Sequence, residues 1–226
     1  MTYQEAIRLT EILLACAWIQ QSLEHLRALG AERLLFLLRL LLCLLLLAGI
    51  GPPWPLMGLA VLSLFILQRF QGPYNGGADR MGILALWCLA LSRLAPDPLW
   101  REALFGYVGL QLVLSYFISG WVKVINPEWR SGRALADVFQ FSAYPVSEGL
   151  RVWAMRPRRL LLMSWAVMLF ELAFPLALAT RPTLVAALAL AALFHLANAC
   201  LFGLNRFFWT WLAVYPALIW LQGRLL

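Results

Sequence analysis

Charge is what this chain has least of. Charged residues make up 13% of its 226 positions, about half the share usual in soluble domains. Hydrophobic residues make up 63%, well above the ~45–50% typical of a soluble domain. That imbalance excludes a soluble enzyme, and it excludes intrinsic disorder, which needs the opposite composition. Cysteine occurs four times, as Cys16, Cys43, Cys88 and Cys200, with no C-x-x-C pair. A membrane thiol relay and a disulfide-knotted secreted domain are therefore both excluded, and packing is the expected role. Histidine occurs twice, and His195 has no second His or Cys at ligand spacing, so no metal centre is expected. The N-terminal region lacks the charged, then apolar, then small order of a cleavable leader, so the first apolar span is expected to act as its own insertion signal. No repeat period or low-complexity segment stands out beyond richness in Leu and Ala.

What is present is a series of apolar runs of 14 to 23 residues, the longer of which match the length that crosses roughly 30 Å of hydrocarbon. They fall at 34–50, 56–70, 81–94, 103–125, 160–180, 184–204 and 207–221. The expected fold is all-α, a polytopic transmembrane helical bundle of about seven spans with interfacial helices. Residues 4–28 read as an interfacial helix, because Glu5, Arg8, Glu11 and Glu24 are costly at depth. The domain reading is an N-terminal interfacial segment, 1–33, followed by the bundle, 34–226, which contains a surface helical segment at 126–158. In that segment Asn126-Pro127-Glu128 offers an N-cap, a first-turn Pro and an acid near the positive end of the helix dipole. Leu135, Val138, Phe139 and Phe141 follow, then a Tyr144-Pro145 turn and a second short helix opened by Ser147.

The net charge of +7 comes from arginines at the ends of apolar runs, where they face phospholipid headgroups and set topology rather than meet nucleic acid. Counted in alternate connections, the basic residues favour a cytoplasmic N-terminus and place 126–158 on the cytoplasmic side. Membrane lipids are the expected partners, with a bacterial cytoplasmic membrane as the location. Arg151, Arg156, Arg158 and Arg159 crowd the entry to the fifth span and are the expected contacts for anionic lipid heads or an acidic partner, with simple topology signalling as the alternative role.

Ionisable residues inside spans are costly, so Arg39, Lys123, Glu171 and His195 are functional candidates. Lys123 is the only lysine among eighteen basic residues. Gln111, Ser115, Ser119 and Lys123 recur every four residues, and Tyr116 precedes Lys123 by seven, so all five share one helical stripe. An ammonium can give up its proton when desolvated and a guanidinium cannot, so base chemistry would need this lysine. The alternative is a lysine that snorkels at a span end. Glu171 lies mid-span with Ser164 seven residues earlier. Its carboxyl is expected to be either neutral or paired with Lys123 or Arg39, as part of a site or as a buried pair that fixes helix register. His195 and Asn198 lie one turn apart, and Asn205 extends their face. The loop 71–81 contains Asn75-Gly76-Gly77, which lets backbone approach a ligand, and Asp79, a candidate cap for the third span.

The run Tyr116-Phe117-Ile118-Ser119-Gly120-Trp121-Val122-Lys123, continued through Asn126-Pro127-Glu128-Trp129 to Gly132, resembles the vitamin K-dependent γ-carboxylase-like family, also called the HTTM domain. Its members carry Tyr-Phe-x-x-Gly-x-x-Lys followed by a Trp and a Gly. The likeness continues through Glu171 and Pro175, Phe194-His195 and Phe207-Phe208-Trp209. The resemblance implies that Lys123 matches the base that deprotonates reduced vitamin K, whose oxygenation yields a base strong enough to take a glutamyl γ-proton. Where the carboxylase carries a catalytic His after an Asn pair, this sequence reads Asn75-Gly76-Gly77. The carboxylase works on the lumenal side, whereas the charge count puts the Lys123 end inside. Its large C-terminal lumenal domain has no counterpart in these residues. Carboxylation of protein glutamate is therefore not expected.

Two functions remain in view. The first is a membrane enzyme for redox or proton transfer on a quinone-like or other apolar substrate, with Lys123, Glu171 and His195 as catalytic residues and Tyr116, Ser119, Asn198 and Asn75 as substrate contacts. Its cofactor would be a quinone. The second is a non-catalytic accessory or assembly subunit of a larger membrane complex, in which the same polar residues only pack helices.

Overall fold

The computed structural model describes every residue except 70–75 and 143–146. The Tyr144-Pro145 turn and Asn75 lie outside the described residues. Among the described residues all regular structure is helical: α1 (Tyr3–Glu24), α2 (Ala31–Leu47), α3 (Pro53–Arg69), α4 (Gly77–Leu94), α5 (Pro98–Ile125), α6 (Pro127–Arg130), α7 (Arg133–Phe141), α8 (Pro157–Ala173), α9 (Arg181–Phe202) and α10 (Asn205–Leu225). Two 3-10 helices, Glu148–Met155 and Phe174–Ala179, precede and follow α8. The chain forms two compact units, one from Met1–Leu110 with Trp209–Leu226 and the other from Gln111–Phe208.

In the first unit α1 opens with a reciprocal cap: Glu5 N–H donates to Thr2 Oγ1 (3.3 Å) and Thr2 N–H to the Glu5 carboxylate (2.8 Å), the Thr-x-x-Glu chemistry that satisfies two orphan donors. The helix then buries Ile7, Leu14 and Trp18. Its charges are partnered inside the unit. Arg8 donates to the carbonyls of Leu46 and Leu47 at the end of α2 (2.7 and 2.8 Å), where unpaired acceptors favour a cation. Glu11 is fully buried and accepts from Arg93 Nε at 2.6 Å. Glu5, Arg8 and Glu11, the charges whose cost at depth pointed to an interfacial helix, thus each have a partner. Arg39, midway along α2, donates to Ser22 Oγ (2.9 Å) and lies 4.4 Å from the Phe36 ring centre and 5.4 Å from that of Trp18. Asp79 does not cap α4. Its carboxylate accepts from Gln21 (3.1 Å), and the N-cap is Gly76.

Removing the buried acid should be expensive. Glu11→Ala strands the Arg93 guanidinium and is expected to cost near the lower end of the ~3–5 kcal/mol typical of a broken buried pair, since Arg93 keeps some solvent contact. Thermal unfolding in detergent reads this, and a shift no larger than that of a surface control would contradict it.

In the second unit α7 is strongly two-sided. Leu135 and Phe139 pack with Leu160 and Phe202 at the start of α8 and the end of α9, while Arg133 and Gln140 face out. The surface helix expected to run on from Asn126 is divided. Asn126 caps α6 through Glu128 N–H (2.9 Å) as the sequence predicts. Gly132, at φ +78°, then ends it, and a Cβ at Gly132 would stand 2.9 Å from the Leu161 backbone. Only glycine combines that left-handed turn with that approach. Ser147 accepts from Gly149 N–H (3.2 Å) and opens a 3-10 helix.

Three described helical segments, Pro98–Ile125, Pro157–Ala179 and Arg181–Phe202, are long and apolar enough to cross a membrane. α2 and α3 have 17 residues each, about 25 Å at 1.5 Å per residue. α4 carries Asp79, Arg80 and Arg93 within its length. On the three long segments large apolar side chains point outward, Trp121 55%, Leu162 72% and Leu193 62% exposed. Water would not tolerate that surface and lipid does. The protein is an integral membrane protein.

Candidate functional site

The site is built where α5 and α8 cross. Gly120 makes the crossing close: a Cβ there would lie 2.7 Å from Leu172 N and 2.9 Å from Glu171 Cβ. One turn later on α5, Lys123 donates to both oxygens of Glu171 (2.6 and 2.5 Å) and to Ser119 Oγ (2.8 Å). Ser119 in turn donates to Glu171 at 3.4 Å. Of the two bases open to Glu171, the partner is Lys123.

Glu171 sits in the last regular turn of α8 because Pro175 has no N–H to continue the helix. The Glu171 carbonyl accepts from Phe174 N–H instead, and the chain tightens into a 3-10 helix. The middle of α8 is tied to α6. Ser164 Oγ donates to the Trp129 carbonyl (2.6 Å) and Trp165 Nε1 to that of Arg130 (3.1 Å). This brings the Trp129 ring to 5.3 Å from the Lys123 ammonium, within cation–π reach. Ser164 is thus an anchor for α6 rather than a member of the charged group.

Two turns back along α5, the Tyr116 hydroxyl and His195 Nε2 share a 2.7 Å hydrogen bond. Both residues are buried, and the Tyr116 ring stacks on Phe174 with centroids 4.1 Å apart. The two groups are separated by seven residues of one helix, roughly 10 Å of rise. Gln111 and Ser115, from the same stripe, do not join them: Ser115 bonds back to the Gln111 carbonyl (2.7 Å). Asn205 begins α10 beyond the Gly203 cap of α9, so it does not continue the His195 face.

Lys123 opens on a groove of about 580 Å³, a size usual for small-molecule sites. Trp129, Val138, Phe141, Phe194 and Phe202 make it largely apolar, and Asn198 and Asp137 add polar groups. Tyr116 and His195 are not on its wall. Among the described residues no group of His, Cys, Asp and Glu is placed to hold a metal ion.

The four arginines at the entry to α8 divide. Arg151 donates to Glu148 (2.5 and 3.2 Å) and to the Gln140 carbonyl, and this hydrogen bonding holds the Glu148 carboxyl below its ordinary range. Arg156 lies over the Trp153 ring at 5.3 Å. Arg158 and Arg159 are exposed.

Residues 84–221, more than half the chain, match the HTTM domain. The chain belongs to the HTTM domain family. The matched stretch contains every element just described, from the Gly120 crossing to the Tyr116–His195 pair. Comparison with curated proteins and with solved structures returns no match. Three residues of the HTTM site escaped a role in the sequence reading, namely Gly120, Trp129 and Phe174. The first two stand inside the Tyr-Phe-x-x-Gly-x-x-Lys…Trp run, which was the available signal. Phe174 carried none beyond its place before Pro175.

Proposed function

We propose that this HTTM protein crosses the bacterial cytoplasmic membrane about seven times and handles a quinone-like or other apolar, ring-bearing substrate, with Lys123 as the proton acceptor. One observation carries the reading: a lysine hydrogen-bonded to a carboxylate at 2.5–2.6 Å opens on a large, aromatic-lined groove. In a site of low dielectric, passing one proton from Lys123 to Glu171 turns an ammonium–carboxylate pair into a neutral amine and a carboxylic acid. The amine can then take a proton from a substrate hydroxyl, which leaves an oxyanion beside the new ammonium. Trp129 and Phe194 would hold a flat ring, and Asn198 would meet a second polar group. His195 and Tyr116 would support α5 and α9 behind the pair.

The second reading is an accessory or assembly subunit. It is favoured by the closure of the same pair: Lys123, Glu171 and Ser119 satisfy one another without any ligand. Lys123→Arg separates the two. It keeps the charge and removes accessible deprotonation, so under the enzyme reading it should abolish complementation of a deletion strain while the protein still assembles at wild-type levels. Full complementation by Lys123→Arg would exclude base catalysis and support the accessory role.

A further inference from the structure

We propose that the end of the second unit where α8 begins is a binding surface for anionic phospholipid, with Arg130, Arg156, Arg158 and Arg159 on the phosphates and Phe141 and Met155 inserted beside the acyl chains.

The fold leaves several charges of this segment uncompensated. Between residues 126 and 159 the acids are Glu128, Asp137 and Glu148. Glu128 pairs with Arg133 (3.3 Å) and Glu148 with Arg151 (2.5 Å), and Asp137 lines the groove. Among the described residues Arg130, Arg156, Arg158 and Arg159 have no acidic partner, and all four are exposed. Arg151 drops out of the set that the sequence nominated, because its guanidinium is occupied. Arg130 enters it, because the Trp165 and Ser164 bonds hold α6 against the middle of α8 and Gly132, just after α6, lies against Leu160 and Leu161 near the start of α8.

Arg156, Arg158 and Arg159 do not serve the helix they open. Basic side chains in a first turn oppose the helix dipole, and Arg156 at the N-cap position makes no side-chain cap bond. Their place is explained by something outside the chain.

The neighbouring apolar groups decide what that is. Met155 is 81% and Phe141 71% exposed, on two helices that pack against each other through Phe139 and Trp153. Water leaves those side chains uncovered, and hydrocarbon cannot take four guanidinium groups. A headgroup layer accommodates both at once. A spanning helix starts here in any case, so the surface lies at the bilayer boundary, where acidic lipid supplies phosphate at high local density. From Arg159 to Glu171 is twelve residues of α8, about 18 Å, so this anchorage also sets the depth of the Lys123–Glu171 pair.

The test is lipid selection by the full chain. Protein purified in mild detergent is given equimolar phosphatidylglycerol and phosphatidylcholine, and retained lipids are counted by native mass spectrometry. Wild type is expected to prefer phosphatidylglycerol by about tenfold or more, in proportion to several phosphate contacts. Replacing the four arginines by Gln should abolish the preference, and replacing them by Lys should keep most of it. Wild type with no preference overturns the proposal by itself, whatever the variants do. So does a preference that survives the Gln changes. A protein that co-purifies through the four arginines, without lipid selection, would make this a protein interface and also overturn it.

Discussion

Lys123→Met is expected to destabilise the protein more than any other single change at the site. The substitution leaves the Glu171 carboxylate 3% exposed with the weak Ser119 hydrogen bond as its remaining partner. Breaking a buried ion pair from one side costs ~3–5 kcal/mol, because the orphaned charge must be neutralised or resolvated. The loss should be largely repaired by removing the other charge as well. Lys123→Met with Glu171→Leu puts two apolar side chains of similar volume at the crossing, and such replacements are often close to neutral. Thermal unfolding in one detergent measures both variants. A double variant as unstable as the single one would mean that the pair's worth lies in the geometry of its hydrogen bonds rather than in balanced charge. The experiment also isolates function, since a stable double variant that fails to complement locates the defect in chemistry and not in folding.

How far the sequence went is clear from particular residues. The helical class and the apolar runs followed from composition, because hydrocarbon demands long segments with internally satisfied backbones. The Asn126 cap followed from local chemistry that needs no tertiary information. Lys123 and Glu171 could be marked as costly and therefore partnered, yet periodicity alone left Arg39 as an equal candidate. Choosing between them needs the helix crossing, and the crossing is set by an absent side chain at Gly120. Glu11 shows the same limit at long range. Its charge, read against a membrane, looked like a reason to keep α1 in the headgroup layer, and only the fold brings Arg93 to it from 82 residues away. A charged residue in an apolar run reports that a partner exists, not where it is. The separation of Tyr116–His195 from Lys123–Glu171 was also illegible, because a stripe on one helix says nothing of which neighbours divide it.

Gly120→Val should have the second largest effect at the site, and it tests the crossing rather than the charges. Its Cβ would have to stand at 2.7 Å from Leu172 N and 2.9 Å from Glu171 Cβ, and both obstacles are parts of α8 that cannot rotate away. The helices must therefore move apart. Overpacking of this kind typically costs ~1–3 kcal/mol. The hydrogen bonds from Lys123 to Glu171 are already 2.5–2.6 Å long, so a separation of about 1 Å takes them out of the hydrogen-bonding range. Gly120→Ala should show the same defect in milder form. Gly223→Ala is the matching control, because nothing lies within 4 Å of its Cβ position in α10, and alanine in an open helical site is expected to stabilise by up to ~1 kcal/mol. Thermal unfolding of the three variants should rank Gly223→Ala highest and Gly120→Val lowest. The decisive comparison is Gly120→Val placed in the Lys123→Met, Glu171→Leu background. Separation of the helices breaks a pair that is no longer there, so the penalty should shrink toward overpacking alone. An undiminished penalty would show that Gly120 serves backbone packing independently of the charged site.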